Sequence, residues 1–522
     1  NNEGAIINLT ADFISNTVTV NYVSGGGLVG NYYPSKYSSV SSTIGNIIGD
    51  FISNSVNVNG IVEGGGLIGN YSTSQGSSTS HTIDDITGDF ILNTVTTSNY
   101  ICGGGIIGIK SDFYSSITTS IGHITGEFIS NTVTTKNIYG GGLIGVYTYA
   151  IYHHSTSSIG NITGDFISNR ISGINVFSGG LIGNYTTTDR VYSQSNASSI
   201  GDITGNFMSN TVTATGNIYS GGLIGNYSYY NCESYIGDIN SNFYNNILKL
   251  TGTSNQEVMG GVIGNYAIYE STIKSISGVF ENNSVIKESD SATVYAGVIY
   301  NNYKITNGIT NSTFKNNYVK LAEGTVYASV LYTTKDLSIN ADNGTTSFSG
   351  NYSQIGDGEK NYNAVYVGSN SATLTLKATN NGVITFDDNI TGESGYNLNI
   401  TGDNTSTVNL HNTISNANLT ISGIGKVDFA DNTAREYNFV SMTSDKNVKY
   451  SIDVDLTNNT SDTFVVENNS TGKITLDDLN FIGGDWNNFI SKERTIQIIK
   501  ATDDSIQLAI SEKLQAEFDN YT

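Results

Sequence analysis

Five acidic residues recur at nearly constant spacing, each directly before a phenylalanine. They are Asp12, Asp50, Asp89, Glu127 and Asp165. If each repeat adds one layer to a stack, these carboxylates form an outward-facing column of like charges at strand spacing. Repulsion within such a column raises pKa values or recruits a cation, and carboxylate oxygens suit Ca²⁺. We expect either a Ca²⁺ site, with no other cofactor, or a solvated acidic stripe that blocks sideways aggregation.

A second column consists of tyrosines that follow the glycine-rich motif of most repeats. The candidates for ligand binding are Tyr71, Tyr147, Tyr185 and Tyr227. Half-exposed tyrosines bind sugars and proteins well because each has an apolar body and a polar tip. We predict a lateral recognition face made of this column and the variable loops 72–80, 146–157 and 186–198. The alternative is that the tyrosines pack at a corner beneath those loops.

Residues for catalysis are sparse. Arginine occurs only as Arg170, Arg190, Arg435 and Arg494. Arg170 and Arg190 fall in one repeat with Asp165 and Asp189, and a polysaccharide lyase or hydrolase needs such convergent groups in an open groove. However, Asp is scattered throughout, and the Gly-x-Ser-x-Gly and His-Glu-x-x-His patterns are absent. We predict a protein that is not an enzyme, with a carbohydrate-active enzyme as the alternative.

The histidine pair and the two cysteines have simple structural interpretations. His153 and His154 lie in a Tyr- and Ser-rich stretch that is typical of a surface loop. Cys102 and Cys232 are three repeats apart, which corresponds to roughly 14 Å in a stack of strands and is too far for a disulfide. We therefore expect two separate thiols and no metal site built from these residues.

The element that positions all of these residues is a repeat marked by phenylalanine. Its phenylalanines follow one another at nearly constant intervals and are Phe13, Phe51, Phe90, Phe128, Phe166, Phe207, Phe243, Phe280, Phe314 and Phe348. An asparagine stands at the third position after each of them, as in Asn54, Asn93, Asn131 and Asn169. Such a fixed period predicts stacked structural repeats. We predict that phenylalanines stack inside and that asparagine amides hydrogen-bond along a corner, with Phe51, Phe90, Phe128, Phe166 and these four asparagines as the central ladder.

Each period contains three short apolar segments: Phe-x-x-Asn, a glycine-rich segment such as 64–71, and Ile-x-x-Ile such as Ile83 and Ile86. All are β-branched or aromatic and are bounded by Gly, Asn and Ser, which indicates strands separated by turns. One strand from each segment gives a three-sided coil. We predict an all-β, right-handed parallel β-helix with one coil per ~34–41 residues, the hand following from the rule for parallel crossovers. A propeller blade would need four strands.

The length and the motifs of the repeats change along the chain. Residues 1–363 contain the long repeats, although the glycine motif decays after about residue 270. Residues 364–435 show short alternating strands and suggest shorter coils, and residues 436–522 suggest a C-terminal cap or stem. We predict these three ranges as domains, because a solenoid needs a terminal element to shield its last coil.

Composition restricts the partners. The 522 residues carry a net charge of −22, with only 13% charged residues and one proline. An acidic chain of low charge density argues against binding to nucleic acid or to anionic membranes. The scarcity of proline suits continuous strand ladders, since proline removes a hydrogen-bond donor. No apolar run is long enough to span a bilayer as a helix.

Several stretches resemble the passenger domains of Gram-negative autotransporters (type V secretion). They are Gly382–Asn389, Leu398–Gly402, Thr407–Leu410, Ile414–Ala417 and the Ile-Gly-Asp-Ile-Thr-Gly-Asn-Phe repeat around 200–207. The resemblance implies an extracellular β-helix at the bacterial cell surface with a structural or adhesive role. Its expected partners are a glycan, a host or neighbouring cell surface, or identical chains in a fibre. It also implies a C-terminal membrane β-barrel as the only membrane contact, and the sequence after Tyr437 lacks the alternating strands of a barrel.

Overall fold

The fold is described by a computed structural model for residues 4–35, 41–74, 79–113, 116–150, 155–188, 196–491, 493–502 and 505–521. The chain forms two compact units. Unit 1 is Asn1–Thr306, Asn317–Leu331 and Ser353–Lys360, and unit 2 is Asn307–Asn316, Tyr332–Tyr352 and Asn361–Thr522. Both are built of parallel stacked coils, about 13 turns in all, so the predicted all-β parallel solenoid is confirmed. The hand of the coil and the division at residues 363 and 435 stay predictions.

Three parallel sheets form the sides of unit 1. The Phe sheet contains Gly4–Thr10, Phe13–Ile14, Ser41–Ile48, Phe51–Ile52, Thr79–Ile83, Ile86–Thr87, Phe90–Ile91, Ile117–Ile121, Ile124–Thr125, Phe128–Ile129, Ser155–Ile159, Ile162–Thr163, Phe166–Ile167, Asn196–Ile200, Ile203–Met208, Cys232–Tyr244, Glu270–Ser277, Val279–Glu281 and Lys304–Ile305. The Thr sheet contains Thr17–Val20, Val23–Gly26, Ser55–Val58, Val62–Gly65, Thr94–Thr97, Tyr100–Gly104, Thr132–Thr134, Asn137–Ile138, Arg170–Gly173, Asn175–Val176, Thr211–Ala214, Ile218–Gly221, Ile247–Leu250, Gln256–Gly260, Ser284–Ala296 and Tyr318–Ala328. The Gly sheet contains Val29–Ser35, Ile68–Ser74, Ile107–Phe113, Ile144–Ala150, Ile182–Thr188, Ile224–Ser228, Ile263–Ala267 and Ile299–Asn301.

The sides of the coil differ from the predicted segments in one respect. The Ile-x-x-Ile and Phe-x-x-Asn segments belong to one sheet, since Ile162–Thr163 and Phe166–Ile167 both pair within the Phe sheet. The second side is instead the Thr-Val-Thr segment after the asparagine, which the sequence analysis did not assign to a strand. Its valines alternate inward, as Val95 and Val133 do, so a period of two was present in the sequence but was too short to stand out.

Phenylalanine rings form a continuous stack inside unit 1, as predicted. From Phe13 to Phe280 adjacent ring centroids are 4.6–4.9 Å apart, with interplanar angles of 2–16°. The rings from Phe51 to Phe280 are fully buried. Offset contact between parallel faces is favourable for aromatic rings, and it adds to the apolar burial of each coil.

The asparagine ladder closes the corner after each phenylalanine, which also confirms the prediction. Asn131 Nδ2 donates to Asn169 Oδ1 at 3.0 Å and to the Phe90 carbonyl at 2.7 Å. Its Oδ1 accepts from both the backbone N–H and the Nδ2 of Asn93. The same pattern of side-chain bonds runs from Asn16 to Asn317. A buried amide with all its groups paired specifies the register of the stack.

The residue before each ladder asparagine has a left-handed backbone conformation, although it is never glycine in unit 1. Examples are Ser53, Leu92, Ser130 and Ser168, with φ of 53–56°. The asparagine bonds over-determine the backbone here, so the coil tolerates a conformation that disfavours an L-residue. Glycine is required elsewhere, at the corner between the Thr and Gly sheets. A Cβ on Gly65 would lie 1.7 Å from the Ile68 carbonyl oxygen.

Unit 2 is also built of parallel coils, and several of them are shorter than those of unit 1. Its strands are Ile309–Thr310, Thr313–Lys315, Leu337–Asp342, Thr345–Ser349, Asn363–Val367, Thr373–Thr379, Val383–Phe386, Asn389–Gly392, Tyr396–Gly402, Thr407–Leu410, Ser415–Ser422, Lys426–Asp428, Glu436–Ser444, Lys449–Asp455, Thr460–Ser461, Thr463–Val466, Ser470–Ile482, Ile499–Ala501 and Ile506–Ile510, and the boundary between the units falls within Leu331–Thr333 and Tyr352–Ile355. Phe348 pairs with Phe386, whereas Leu374 pairs with Leu398 and Leu398 in turn with Leu419. The interval between paired positions thus decreases as far as Leu419, and the predicted shortening is present there. It lengthens again afterwards, since Met442 pairs with Ser470 and Phe464 pairs with Ile499.

Two helices lie near the end of unit 2, Trp486–Ile490 and Glu512–Tyr521. Asp485 caps the first through its side chain, which accepts from the backbone N–H of Asn488 at 3.0 Å. The second covers the strand Ser470–Ile482 and buries Leu514 fully. Trp486 joins the helices through edge contact with Phe518 at 5.1 Å and stacking on Tyr521 at 5.8 Å. These helices supply an apolar cover for the late strands of unit 2.

Candidate ligand-binding face

The acid column lies on the outer surface of the Phe sheet, and its carboxylates bond to backbone. Asp50 N–H donates to Asp12 Oδ1 at 3.0 Å, and Asp89 N–H to Asp50 Oδ1 at 2.9 Å. Glu127 N–H and Asn206 N–H bond in the same way to Asp89 and Asp165. Each of these aspartates thus ties one coil to the next. Among the described residues no group of three or more His, Cys, Asp or Glu side chains is arranged to hold a metal ion, so a Ca²⁺ site on this column stays a prediction.

The tyrosine column is stacked as expected, but its exposure was predicted wrongly. Tyr71, Tyr185 and Tyr227 are only 7–8% exposed. Burial raises the pKa of all three phenols above the ordinary value. Tyr147 keeps intermediate exposure and stacks on Tyr185 at 5.3 Å. The column therefore packs at the corner of the Gly sheet and offers little surface to a ligand, and ligand binding by these tyrosines stays a prediction.

Lys110 interrupts the tyrosine column and occupies the place between Tyr71 and Tyr147. Its Nζ lies 4.9 Å from the Tyr71 ring centroid and forms ion pairs of 2.6 Å with Glu63 and Asp112. Burial by itself lowers the pKa of Lys110, but Asp112 and the other neighbouring groups outweigh it and leave the pKa raised. Two carboxylates and two aromatic rings thus stabilise the charged ammonium. All of these contacts are within the protein, so we assign Lys110 a structural role.

A different aromatic row reaches the surface. Each of its members stands directly after an inward-facing residue of the second Thr-sheet strand in its coil. We call this row the aromatic rank, and its members are Tyr139, Phe177, Tyr219, Met259, Tyr295 and Tyr327. All six are partly exposed. Tyr139 stacks on Phe177 at 4.6 Å, and Phe177 on Tyr219 at 5.0 Å. The rings thus cover one another's faces and present their edges and phenol groups outward.

The aromatic rank covers the middle of the tyrosine column, whereas Tyr71 lies against Lys110 instead. Tyr139 makes edge contacts with Tyr147 at 5.8 Å and Tyr185 at 5.7 Å, and Phe177 contacts Tyr185 at 6.2 Å. The rank therefore lies over the column at the corner between the Thr and Gly sheets. The rank was not predictable from a single recurring residue type, because its members are tyrosine, phenylalanine and methionine. The loop between the two strands of the Thr sheet also varies in length, so their spacing is irregular.

A row of three asparagines runs beside the first three members of the aromatic rank, two positions earlier in each of these coils, and Glu257 follows at the same place in the next coil. Asn175 Nδ2 donates to Asn137 Oδ1 at 3.1 Å, and Asn217 N–H donates to Asn175 Oδ1 at 2.9 Å. Asn217 Nδ2 also donates to the Tyr219 hydroxyl at 3.1 Å, which joins the two rows. All three asparagines are partly exposed. The surface therefore combines an apolar ridge with amide groups that repeat once per coil over three coils.

The other predicted sites gain no support as catalytic centres. Arg170 lines a shallow depression of about 420 Å³ whose other lining residues are Thr132, Val133, Ile171, Ser172, Thr211 and Thr213. In the described part of the chain no ion pair joins Arg170 to Asp165. Arg190, Asp189, His153 and His154 lie outside the described residues, as do the centres of the three predicted loops, 75–78, 151–154 and 189–195.

Both cysteines are buried free thiols, as predicted. Burial raises the pKa of Cys102 and of Cys232 to about 12. A thiol in that state is unreactive at neutral pH, since the thiolate is the nucleophile. Neither residue contributes chemistry to the surface.

An interior corner of the second coil contains a buried histidine with unpaired polar neighbours. His81 is 1% exposed, and its Nδ1 lies 2.5 Å from the Ser42 hydroxyl. Its Nε2, together with Ser72 Oγ and Thr79 Oγ1, has no protein partner. Burial lowers the pKa of His81 to about 4. The imidazole is therefore neutral in the folded protein at physiological pH.

This histidine should make the fold sensitive to mild acid. Below its ordinary pKa of 6.5 the unfolded chain binds a proton that the folded chain does not bind until about pH 4, so stability falls as pH decreases across that window. The loss should reach about 3 kcal/mol. His81→Thr, which matches Thr119 in the next coil, should remove most of this pH dependence. Urea unfolding of both proteins at pH 7 and 4.5 tests it, and parallel pH slopes would contradict it.

Comparison with known protein families, curated proteins and solved structures found no match to this chain. None of the described helices is long and apolar enough to cross a membrane. The fold and the surface chemistry are therefore what bear on function.

Proposed function

We propose that this chain is the β-helical passenger of a bacterial autotransporter that acts outside the cell in a structural or adhesive role, without catalysis. The parallel solenoid and the repeat motifs quoted above support the passenger assignment. The adhesive role rests on one observation, the partly exposed aromatic rank of unit 1 with its adjacent amides. This surface replaces the tyrosine column as the proposed recognition face.

A neutral, extended glycan is the partner that this face fits best. Ring edges and the Met259 side chain offer apolar contact to the C–H surfaces of sugars, while Asn137, Asn175 and Asn217 offer amide groups to hydroxyls. Rigid rings bind at a low cost in conformational entropy. Repetition over several coils allows many weak contacts to act together. The net charge of −22 disfavours anionic glycans.

The rival function, a polysaccharide lyase or hydrolase, needs carboxylates that converge in a groove. The depression at Arg170 is lined instead by hydroxyl and aliphatic groups. A panel assay separates the two functions, because an enzyme would release reducing or unsaturated sugars from one of the polysaccharides. Product release by the purified protein would refute the adhesive proposal.

The recognition face is tested by the double variant Phe177→Ser and Tyr219→Ser, measured by binding to a neutral-glycan array. The matched control is Tyr244→Ser, since Tyr244 is also partly exposed but lies on the Phe sheet. We expect the double variant to lose binding and the control to keep it. Equal binding by parent and double variant would refute the proposed face. Binding to cells or to itself, but to no glycan, would assign the face to a protein partner and refute the glycan.

A further inference from the structure

The first strands of the Thr sheet carry two outward ranks of hydroxyl residues over six successive coils. One rank is Thr17, Ser55, Thr94, Thr132, Arg170 and Thr211, and the other is Thr19, Asn57, Thr96, Thr134, Ser172 and Thr213. Ten of these twelve positions are threonine or serine. All twelve are at least partly exposed. We call this surface the threonine array.

The threonine hydroxyls of the array are free. Within the described ranges, none of the eight threonines hydrogen-bonds to another protein group, whereas many threonines of the Gly and Phe sheets do, as Thr119 does to Ser157 at 3.0 Å. An exposed hydroxyl without a protein partner bonds to solvent. Each side chain also presents a methyl group, so the array alternates water-binding and water-repelling groups.

The array also keeps its register. The six strands that carry the two ranks pair in parallel without a register shift. The asparagine ladder, which closes the corner just before these strands, fixes that register. The ranks therefore keep their alignment from coil to coil, and the spacing of their hydroxyls is nearly periodic.

That spacing resembles the lattice of ice. Neighbouring threonines of one rank are about 4.8 Å apart, and the two ranks are separated by two residues of a strand, or about 6.7 Å. In ice, tetrahedral O–H···O bonds of about 2.75 Å place second-neighbour oxygens about 4.5 Å apart, and the repeat along the hexagonal axis, eight thirds of one bond, is about 7.3 Å. Both distances agree to within roughly a tenth. Waters bound to the hydroxyls and held around the methyl groups would thus lie close to ice positions.

We propose that the threonine array is a second binding surface and that its ligand is an ice crystal face, through an ordered layer of water. The proposal is independent of the aromatic rank, because it rests on different residues of the same sheet. Arg170 is the main defect in the array, since it places a long cation among hydroxyl groups and borders the depression described above. Repairing that defect should therefore strengthen binding.

The test measures thermal hysteresis and ice recrystallisation with the parent and three variants. Thr134→Lys places a cation in the centre of the array and should abolish both effects. Thr163→Lys is the matched control, since Thr163 is equally exposed but lies on the Phe sheet, and it should change neither effect. Arg170→Thr should increase both. Circular dichroism checks that each variant keeps the β-fold.

Three outcomes would overturn the proposal. They are the absence of ice activity in the parent, its persistence in Thr134→Lys, and its loss in Thr163→Lys. A crystalline polysaccharide is the competing ligand, because it also offers a periodic array of hydroxyls. Sedimentation with microcrystalline cellulose and chitin distinguishes it: binding that Thr134→Lys abolishes, without any ice activity, would assign the array to polysaccharide.

Discussion

Phe128→Ala should lower the free energy of unfolding by about 4 kcal/mol. The Phe128 ring is fully buried and stacks at 4.8 Å on both Phe90 and Phe166. Its removal leaves a cavity between two rings that the asparagine ladder holds apart, so the coils cannot collapse to fill the space. Urea unfolding followed by circular dichroism measures the change.

The control for this prediction is Thr125→Ala, at a nearby position in the same coil. Thr125 is exposed on the outer surface of the Phe sheet, so its truncation should cost less than about 0.5 kcal/mol. Similar losses for the two variants would mean that the phenylalanine stack contributes no special stability. In that case the repeat would be held together by its backbone ladders alone.

Asn131→Leu should be at least as damaging, with a loss of about 5 kcal/mol. Leucine is similar in size, but it removes the acceptor for the backbone N–H and the Nδ2 of Asn93 and the donor to the Phe90 carbonyl. These groups are buried, and each unpaired group costs about 1–3 kcal/mol. The matched control is Asn137→Leu, which breaks a similar amide pair on the partly exposed surface, and there water can replace the bond.

A second substitution at the same position separates hydrogen bonding from packing. Asn131→Asp keeps the acceptor, and unit 2 contains a natural example in Asp388, which accepts from the Asn351 backbone and side chain. Burial raises the pKa of Asp388 to about 6. A carboxyl at position 131 should behave alike, because the folded state favours its protonated form. The loss of stability relative to the parent protein should therefore be larger at pH 8 than at pH 5. An equal loss at both pH values would show that the corner is solvated.

The two proposed surfaces of unit 1 have different physical origins. The aromatic rank lies where two sheets meet, and its rings are held by edge contacts with a buried column. The threonine array lies on the open part of one sheet, where its threonine hydroxyls face solvent. A protein with both could combine a directional glycan site with a broad hydrated surface, and the variants above test them separately.

The sequence alone determined the parts of this protein that depend on period. Coils stack in register, so any residue type that recurs with the period must form a column, and the phenylalanine and asparagine ladders followed from that rule. The shorter coils of unit 2 followed from shorter spacing in the same way. Inward direction was also predictable, because alternation along a strand places every second side chain inside.

Only the tertiary structure decided which outward columns meet solvent. Tyr71, Tyr185 and Tyr227 looked like a recognition face, yet they are only 7–8% exposed. Tyr139 and Phe177 of the aromatic rank cover Tyr185, and Lys110 lies against Tyr71. The Thr-Val-Thr segment was not assigned to any strand from the sequence and forms one side of the coil. The exposure of a side chain depends on the angle between the sheets at each corner. It also depends on side chains that are close in space although they are far apart within the repeat. The period of the sequence gives information on neither of these.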